Sequence, residues 1–414
     1  MTERSLRTAW LMLLVLISGF AMSQAFRTAA AVMAPPLQQS FGLTPEQLGL
    51  FAGAFHFAFG ALQLFMGMGI DVYGTRRTVL AVFPLTIVGA FITASSDSYA
   101  GLIAGQVLTG IGCAPAFLAC TVFIARRFPP GQYASVNGAA LGIGSVGLLL
   151  TGTPLAWIID SWSWRAGYVA MAVCAAAAWL AILLLVKEDL PMRSADRPRV
   201  LDALRGYGVL FRLPHTLGVI GLALFTYASF LSLRGLWLGP LLIDRYGFTL
   251  VQSGNVALAV SVVGMLAPPI FGRLDPGDAR RRAWIIGYTL TCATIFALMA
   301  LRLPSAAEVA LSIAIGFVSG YMVMQYSDVR ATYPPQMTGR AMAVFTMAMF
   351  LGVALMQWLT GLAASAAAVF QVETYTAVLG SIAGFLVLGT LLFRFLPGPG
   401  AASKTAGEPS QSTP

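Results

Sequence analysis

Gly67-Met68-Gly69-Ile70-Asp71-Val72-Tyr73-Gly74-Thr75-Arg76-Arg77 is a short polar turn set between two long apolar stretches. A degenerate second copy, Phe271-Gly272-Arg273-Leu274-Asp275-Pro276-Gly277-Asp278-Ala279-Arg280-Arg281, keeps only the acid followed by the basic cluster. Arg27 precedes the first copy and Arg234 the second, each inside an apolar stretch. Phe128-Pro129-Pro130 is echoed in the same way by Tyr333-Pro334-Pro335. The three offsets, about 204, 207 and 205 residues, agree closely and indicate a duplicated membrane unit. Parallel repeats of this kind place a substrate site between the halves near mid-membrane.

The composition fits that reading. Of the 414 residues 58% are hydrophobic and only 10% charged, where a soluble domain carries roughly 25% charged residues. Twelve apolar runs recur, at about 8–33, 47–70, 78–96, 99–125, 133–159, 165–186, 215–243, 251–271, 283–301, 306–329, 340–363 and 373–395. Each is long enough to span roughly 30 Å of hydrocarbon. All are expected to be helices, because a helix satisfies its own backbone hydrogen bonds in lipid. The first run follows Arg4 and Arg7 but is longer than the apolar core of a signal peptide, so it reads as the first helix.

Charge placement sets the expected topology. With a cytoplasmic N-terminus, twenty Lys and Arg residues fall on the cytoplasmic side and three, Arg165, Arg245 and Arg302, on the other. That asymmetry is the positive-inside pattern and puts both termini in the cytoplasm. The net charge of +9 then reflects topology and contact with anionic headgroups; no nucleic-acid partner is expected. The four cysteines, Cys113, Cys120, Cys174 and Cys292, fall inside runs and read as packing residues. No metal site is assembled, no cofactor is expected, and no nucleophile–base pair suggests an enzyme. There is no Walker-type phosphate loop, so ATP is not the expected energy source.

The expected organisation is an N-terminal six-helix half over 1–186, a linker over 187–212, a C-terminal six-helix half over 213–396, and a disordered tail over 397–414. Within the linker Leu201, Leu204, Gly208 and Phe211 recur at helical spacing, suggesting a short amphipathic helix on the cytoplasmic face.

Gly67-x-x-x-Asp71-x-x-Gly74-x-Arg76 resembles the signature loop of the major facilitator superfamily, and the second copy, the twelve runs and the central linker agree with it. Val72, Thr75 and Phe271 depart from the usual pattern. The resemblance implies an all-α integral membrane fold of two pseudosymmetric six-helix halves, generally monomeric. It also implies a conformational latch in which the loop acid meets a basic helix end: Asp71 with Arg126 or Arg127, alongside Arg76, and in the second half Asp275 with Arg330, Asp328 being nearby. A narrower likeness lies in Leu233-Arg234-Gly235-x-Trp237-x-x-Pro240-x-Leu242 and in Phe26-Arg27. These are similar to the organophosphate and organic-anion carriers, which use one arginine from each half to hold an anion.

The residues themselves point the same way. A charge at the bilayer centre costs roughly 2.5–3.5 kcal/mol on insertion scales, so Arg27 and Arg234 each call for a role. Guanidinium grips carboxylate or phosphate through paired hydrogen bonds; the alternative is snorkelling or pairing with a carbonyl or acid. Tyr227, Phe230, Arg234 and Trp237 share a helix face. Gln24, Gln106, Asn137, Tyr321 and Gln325 are further polar candidates to line a cavity, or else to bond a neighbouring helix. His56, midway along the second run, is a candidate for carrying a coupling proton, against the ordinary role of a hydrogen-bonded buried histidine. No carboxylate sits mid-helix in runs 1, 4, 7 or 10.

The expectation is therefore a secondary transporter of a small organic anion, working by alternating access in a bacterial inner membrane. The alternative on the same fold is proton-driven efflux of drugs or metabolites. It is weakened because Gly144-Ser145-Val146-Gly147 in run 5 lacks the Gly-Pro pair usual in such exporters. A non-transporting sensor would need a signalling domain that the short linker and tail do not supply.

Overall fold

The computed structural model describes residues 3–129, 132–187, 208 and 210–396. Nearly all of the linker 187–212, including Leu201 and Leu204 of the expected surface helix, and the tail 397–414 lie outside the described residues. Among those described, every regular element is helical. Twelve spans run in chain order: α1 (Leu6–Thr28), α2 (Pro45–Ala61 and Gln63–Tyr73), α3 (Thr75–Ser95), α4 (Tyr99–Arg127), α5 (Ser135–Ser161), α6 (Trp164–Leu185), α7 (His215–Arg245), α8 (Leu250–Arg273), α9 (Asp278–Ala300), α10 (Ser305–Thr332), α11 (Met337–Val369) and α12 (Thr374–Phe395). Eleven are long and apolar enough singly; α2 reaches that length only when its two segments, bent by 42°, are taken together. The chain is a multi-pass membrane protein.

Local sequence starts the helices where they are needed. Thr44 accepts from the Gln47 N–H and Gln47 returns a bond to the Thr44 N–H, a reciprocal cap for α2. Thr249 and Gln252 repeat it for α8. Such caps satisfy orphan helix-end donors, and their recurrence in α2 and α8 is a further trace of the duplication. α1 runs through a break at Ala29 into Ala30–Phe41, which carries Pro35 and Pro36 inside it.

The two sequence halves meet along three pairs of helices: α2 with α11, α5 with α8, and the ends of α1 and α7. Small residues permit the approach. The backbone of Gly49 lies against the Gln357 carbonyl, and that of Gly239 against the Ala31 carbonyl, so closely that a Cβ would clash. A Cβ at Gly152 would stand 3.0 Å from the Gly254 carbonyl, and beside it Thr153 Oγ1 donates to Asn255 Oδ1 at 2.6 Å. These contacts all lie toward the end of the bundle bearing the α1–α2, α5–α6, α7–α8 and α11–α12 turns. Toward the other end contacts between the halves thin out, though Gln63–Tyr73 of α2 still meets α11. The first turns of α5 pack on α1 and α4 of their own half, and Gly138, Gly142 and Gly339 have nothing within 4 Å of where a Cβ would sit. The end where these contacts concentrate is the closed end, and the end where they thin is the spread end.

Candidate functional site

At the closed junction of α1, α7 and α11 the two intramembrane arginines are both buried, Arg27 at 5% exposure and Arg234 at 0%. Neither snorkels. Arg27 Nη1 donates to Gln24 Oε1 at 2.5 Å, one turn earlier on α1, and to the Tyr227 hydroxyl of α7 at 3.3 Å. Its guanidinium lies 4.8 Å from the ring centre of Phe59 and 4.6 Å from that of Phe350, so quadrupole attraction offsets part of its desolvation. Arg234 Nε donates to Ser261 Oγ of α8 at 2.8 Å. Its Nη2 crosses to the other half, reaching the Leu148 carbonyl at 3.0 Å and Thr151 Oγ1 at 3.3 Å. Thr151 in turn lies 2.7 Å from Thr28 Oγ1, the residue after Arg27. A chain of two hydroxyls thus runs from Arg234 across the halves to the α1 backbone beside Arg27.

No carboxylate pairs with either arginine among the described residues, and each keeps one buried nitrogen without a partner, Nε of Arg27 and Nη1 of Arg234. An unsatisfied buried donor on a charged group costs at least 1–3 kcal/mol in order of magnitude. Two such donors lie at this one junction, one from each half. Gln357 of α11 belongs to the same junction. It is fully buried, neither of its amide atoms has a partner, and its Nε2 lies near the Gly235 backbone, as does the Arg27 carbonyl. Sequence reasoning missed it, although a lone amide between Met356 and Trp358 in an apolar run is a legible signal. His56 of α2 neighbours Gln357. Its Nδ1 lies 3.1 Å from the Ala52 carbonyl, which only accepts, so Nδ1 carries a hydrogen and Nε2 is left buried without a partner.

Other expected site residues are placed elsewhere. The Trp237 indole N–H is spent on Thr360 Oγ1 of α11 at 2.8 Å, which makes it a packing residue in this state. Gln106 donates to the Tyr168 hydroxyl at 3.0 Å within the first half. Tyr321 is buried against Thr289, 2.7 Å between hydroxyls, and stacks on Tyr288. Gln325 accepts from Thr226 at 3.1 Å and leaves its Nε2 unpartnered. Asn137 is partly buried in the spread portion of α5, with Oδ1 lacking a partner.

The loop charges divide. Arg126 Nη2 stands 3.9 Å from Asp71 Oδ1, both well exposed, and Arg76 donates to the Leu183 carbonyl at 2.8 Å. Arg127 is partly buried. The expected Asp275–Arg330 pair is not what this conformation contains. Asp275 is held by Arg281 at 2.9 Å, Arg330 is exposed, and the neighbouring Asp328 takes Arg282 at 3.0 Å. Arg281 is six residues from Asp275, so the loop closes on itself before reaching α10.

A family model described as Major Facilitator Superfamily matches residues 15–323. Among curated proteins, a hexuronate transporter of Bacillus subtilis is 20% identical over 58% of this chain and 58% of its own length. A probable sulfoacetate transporter of Cupriavidus necator is 21% identical over 66% of each, and a D-galactonate transporter of Escherichia coli is 28% identical over 38% of this chain and 37% of its own. The matched segment therefore spans less than two thirds of these relatives. Among solved structures, a D-xylose–proton symporter superposes with a TM-score of 0.74 at 14% identity, over 94% of this chain and 98% of that one. A bacterial homologue of the lysosomal transporter Spinster, in an inward-facing and occupied conformation, gives 0.69 at 16% identity, over 92% and 95%.

Proposed function

The chain belongs to the Major Facilitator Superfamily, and from that premise we propose that it moves a small organic anion, a carboxylate or phosphate ester, across the membrane by alternating access. One observation carries the reading: two buried guanidinium groups, one from each half, each keep an unpartnered N–H at the junction where the halves meet. Anionic oxygens are the acceptors such donors lack, and the paired geometry of guanidinium favours carboxylate and phosphate over a single point charge. The hexuronate, sulfoacetate and galactonate carried by the relatives, as their names state, are all small organic acids.

With both termini cytoplasmic, as the basic residues favour, the spread end faces the cytoplasm and the closed end the opposite side. Anion enters from the spread end, takes the free nitrogens, and competes with Leu148 and Thr151 for Arg234. Loosening those ties frees the closed end to part while the other end closes. Arg27 and Arg234 are then both ligands and links between the halves.

The test is a melting series on the purified full-length protein with D-galactonate, D-glucuronate, sulfoacetate, glycerol phosphate and the hydrophobic cation tetraphenylphosphonium, in wild type, Arg27→Ala and Arg234→Ala. A ligand bound only to the native state at about 100 times its Kd stabilises by about 2.7 kcal/mol. At least one anion is expected to raise the melting temperature of wild type by several degrees and to lose that increment in both variants. Stabilisation by the cation alone, undiminished in the variants, overturns the anion reading.

A further inference from the structure

Far from the arginine junction, α10 begins with a carboxylate that no role yet uses. Glu308 lies in the first turn of α10, is 0% exposed, and has Oε1 buried without a partner. From the end of α7 it faces Arg245 and Tyr246, and from the residue before α12 Glu373; Tyr375 of α12 is bonded instead to Asp244. Ser312, one turn further along α10, is also fully buried with an unpartnered hydroxyl.

Arg245 pairs with Glu308 only at ion-pair distance and gives its hydrogen bonds elsewhere. Its Nε and Nη2 fork onto Glu373 at 3.2 and 2.5 Å, and its Nη1 donates to the Met299 carbonyl at 2.9 Å. Glu308 Oε2 is left 3.8 Å from Nη1, beyond hydrogen-bond range. One cation is shared among two buried or half-buried carboxylates, and the better geometry belongs to Glu373. An ionised Glu308 would be a desolvated charge with one oxygen bare, the arrangement proteins avoid by neutralising the group.

The hydrogen count at Tyr246 leads to the same end. Its hydroxyl oxygen lies 2.8 Å from the Leu303 carbonyl and 3.0 Å from Glu308 Oε2. A phenol has one hydrogen to donate and can also accept. The Leu303 carbonyl and an ionised Glu308 would both only accept, and one phenolic hydrogen cannot serve the two. Both contacts are full hydrogen bonds only when Glu308 carries a proton and donates it to the phenol oxygen.

We infer that Glu308 is a proton-binding site: a buried carboxylic acid that holds its proton at neutral pH and exchanges it with the outside through the part-exposed Tyr246. The site lies on α7, α10 and α12 of one half and shares α7 with Arg234, so loading or unloading it bears on the helix that carries the anion ligand. It does not depend on which anion is carried.

The test is the infrared spectrum of the full-length protein in detergent at neutral pH, well above the ordinary glutamate value of about 4.3, with no substrate added. Wild type is expected to show the C=O stretch of a protonated carboxyl group. E308Q removes it, while D328N, which changes the other acid buried among the described residues, leaves it. Y246F, by deleting the acceptor oxygen, shifts the band without abolishing it. E308Q is also expected to melt within about 2 °C of wild type, since glutamine mimics the neutral acid. A spectrum unchanged in E308Q overturns the assignment, as does an E308Q protein that melts many degrees lower while wild type lacks the band. If E308Q does not fold, Y246F decides: a shifted band supports the site and an unmoved one refutes it.

Discussion

Arg245 shows how one side chain fastens several helices. From the end of α7 it reaches the last turn of α9 through the Met299 carbonyl, and α12 through Glu373 and Thr376. Burial by itself raises the Glu373 carboxyl, but the Arg245 fork and the Thr376 N–H outweigh it and hold the group below its ordinary value. The stability this contributes is present above the unfolded value of about 4.3 and is lost as pH falls through the lowered folded one. Because Glu373 is one-third exposed, screening limits the effect. E373Q is expected to cost about 1 kcal/mol at neutral pH, seen as a melting temperature a few degrees lower, with the gap to wild type closing in acid; a gap independent of pH contradicts the pairing. At this scale the sequence is legible where a residue type is costly in its surroundings. Arg27 and Arg234 stand out because a charge inside an apolar run demands a partner. Glu308 does not stand out, because an acid four residues after Pro304 looks like an ordinary first-turn residue. Its burial is imposed by Arg245, Tyr246 and α12, all distant in sequence. The Asp275 pairing escapes the sequence for a related reason: spacing to α10 suggests Arg330, but Arg281, on the next helix, reaches the acid first.

At the level of the element, α7 is the unusual helix. Two π-helical turns, Leu233–Trp237 and Leu241–Arg245, flank the short stretch Leu238–Pro240. Pro240 has no N–H to give the Leu236 carbonyl and its ring crowds that carbonyl, so widening the turns accommodates it. Each wide turn inserts a residue and re-aims the side chains beyond it; the first holds Arg234 and the second Arg245. The apolar run and Pro240 predict a bent helix, but not that the bend is taken up as two wide turns. Between the two wide turns Gly239 lies against the Ala31 carbonyl of α1. G239L therefore forces α1 and α7 apart at the closed end, with an overpacking cost of about 1–3 kcal/mol. In a protein whose exposed Cys174 is replaced by serine and Thr153 by cysteine, the added thiol of the G239L variant is expected to react several-fold faster with a membrane-impermeant maleimide. Equal rates with and without G239L would show that this contact does not hold the end shut.

The whole molecule is two copies of one plan, and its closed end is built from pairs the duplication relates. α2 meets α11 and α5 meets α8, the second pair being the first with the halves exchanged. That much is legible in the repeated loop, since a duplicated unit has to meet its copy through equivalent faces. Which end is shut is not legible, because under the proposed alternating access the same residues would serve both states and only their contacts would differ. Gly49 and Gln357 at one interface, and Gly152 and Gly254 at the other, are close here because this state brings them together. In an alternating carrier those contacts have to break once per cycle, so a covalent tie across them has to stop it. Thr153 and Asn255, whose side-chain oxygens lie 2.6 Å apart across the halves, are the pair to tie through a disulfide. The remaining cysteines, Cys113, Cys120 and Cys292, are buried, so replacing Cys174 by serine removes the exposed competitor. In proteoliposomes the Thr153→Cys/Asn255→Cys protein is expected to lose more than nine-tenths of its uptake of a stabilising anion on mild oxidation and to regain it on reduction, with each single variant unaffected. Anion binding itself should survive oxidation, because the spread end still gives access to Arg27 and Arg234. Transport that continues at full rate through the oxidised pair would mean that this end never opens, and the two halves would then have to be treated as one rigid body.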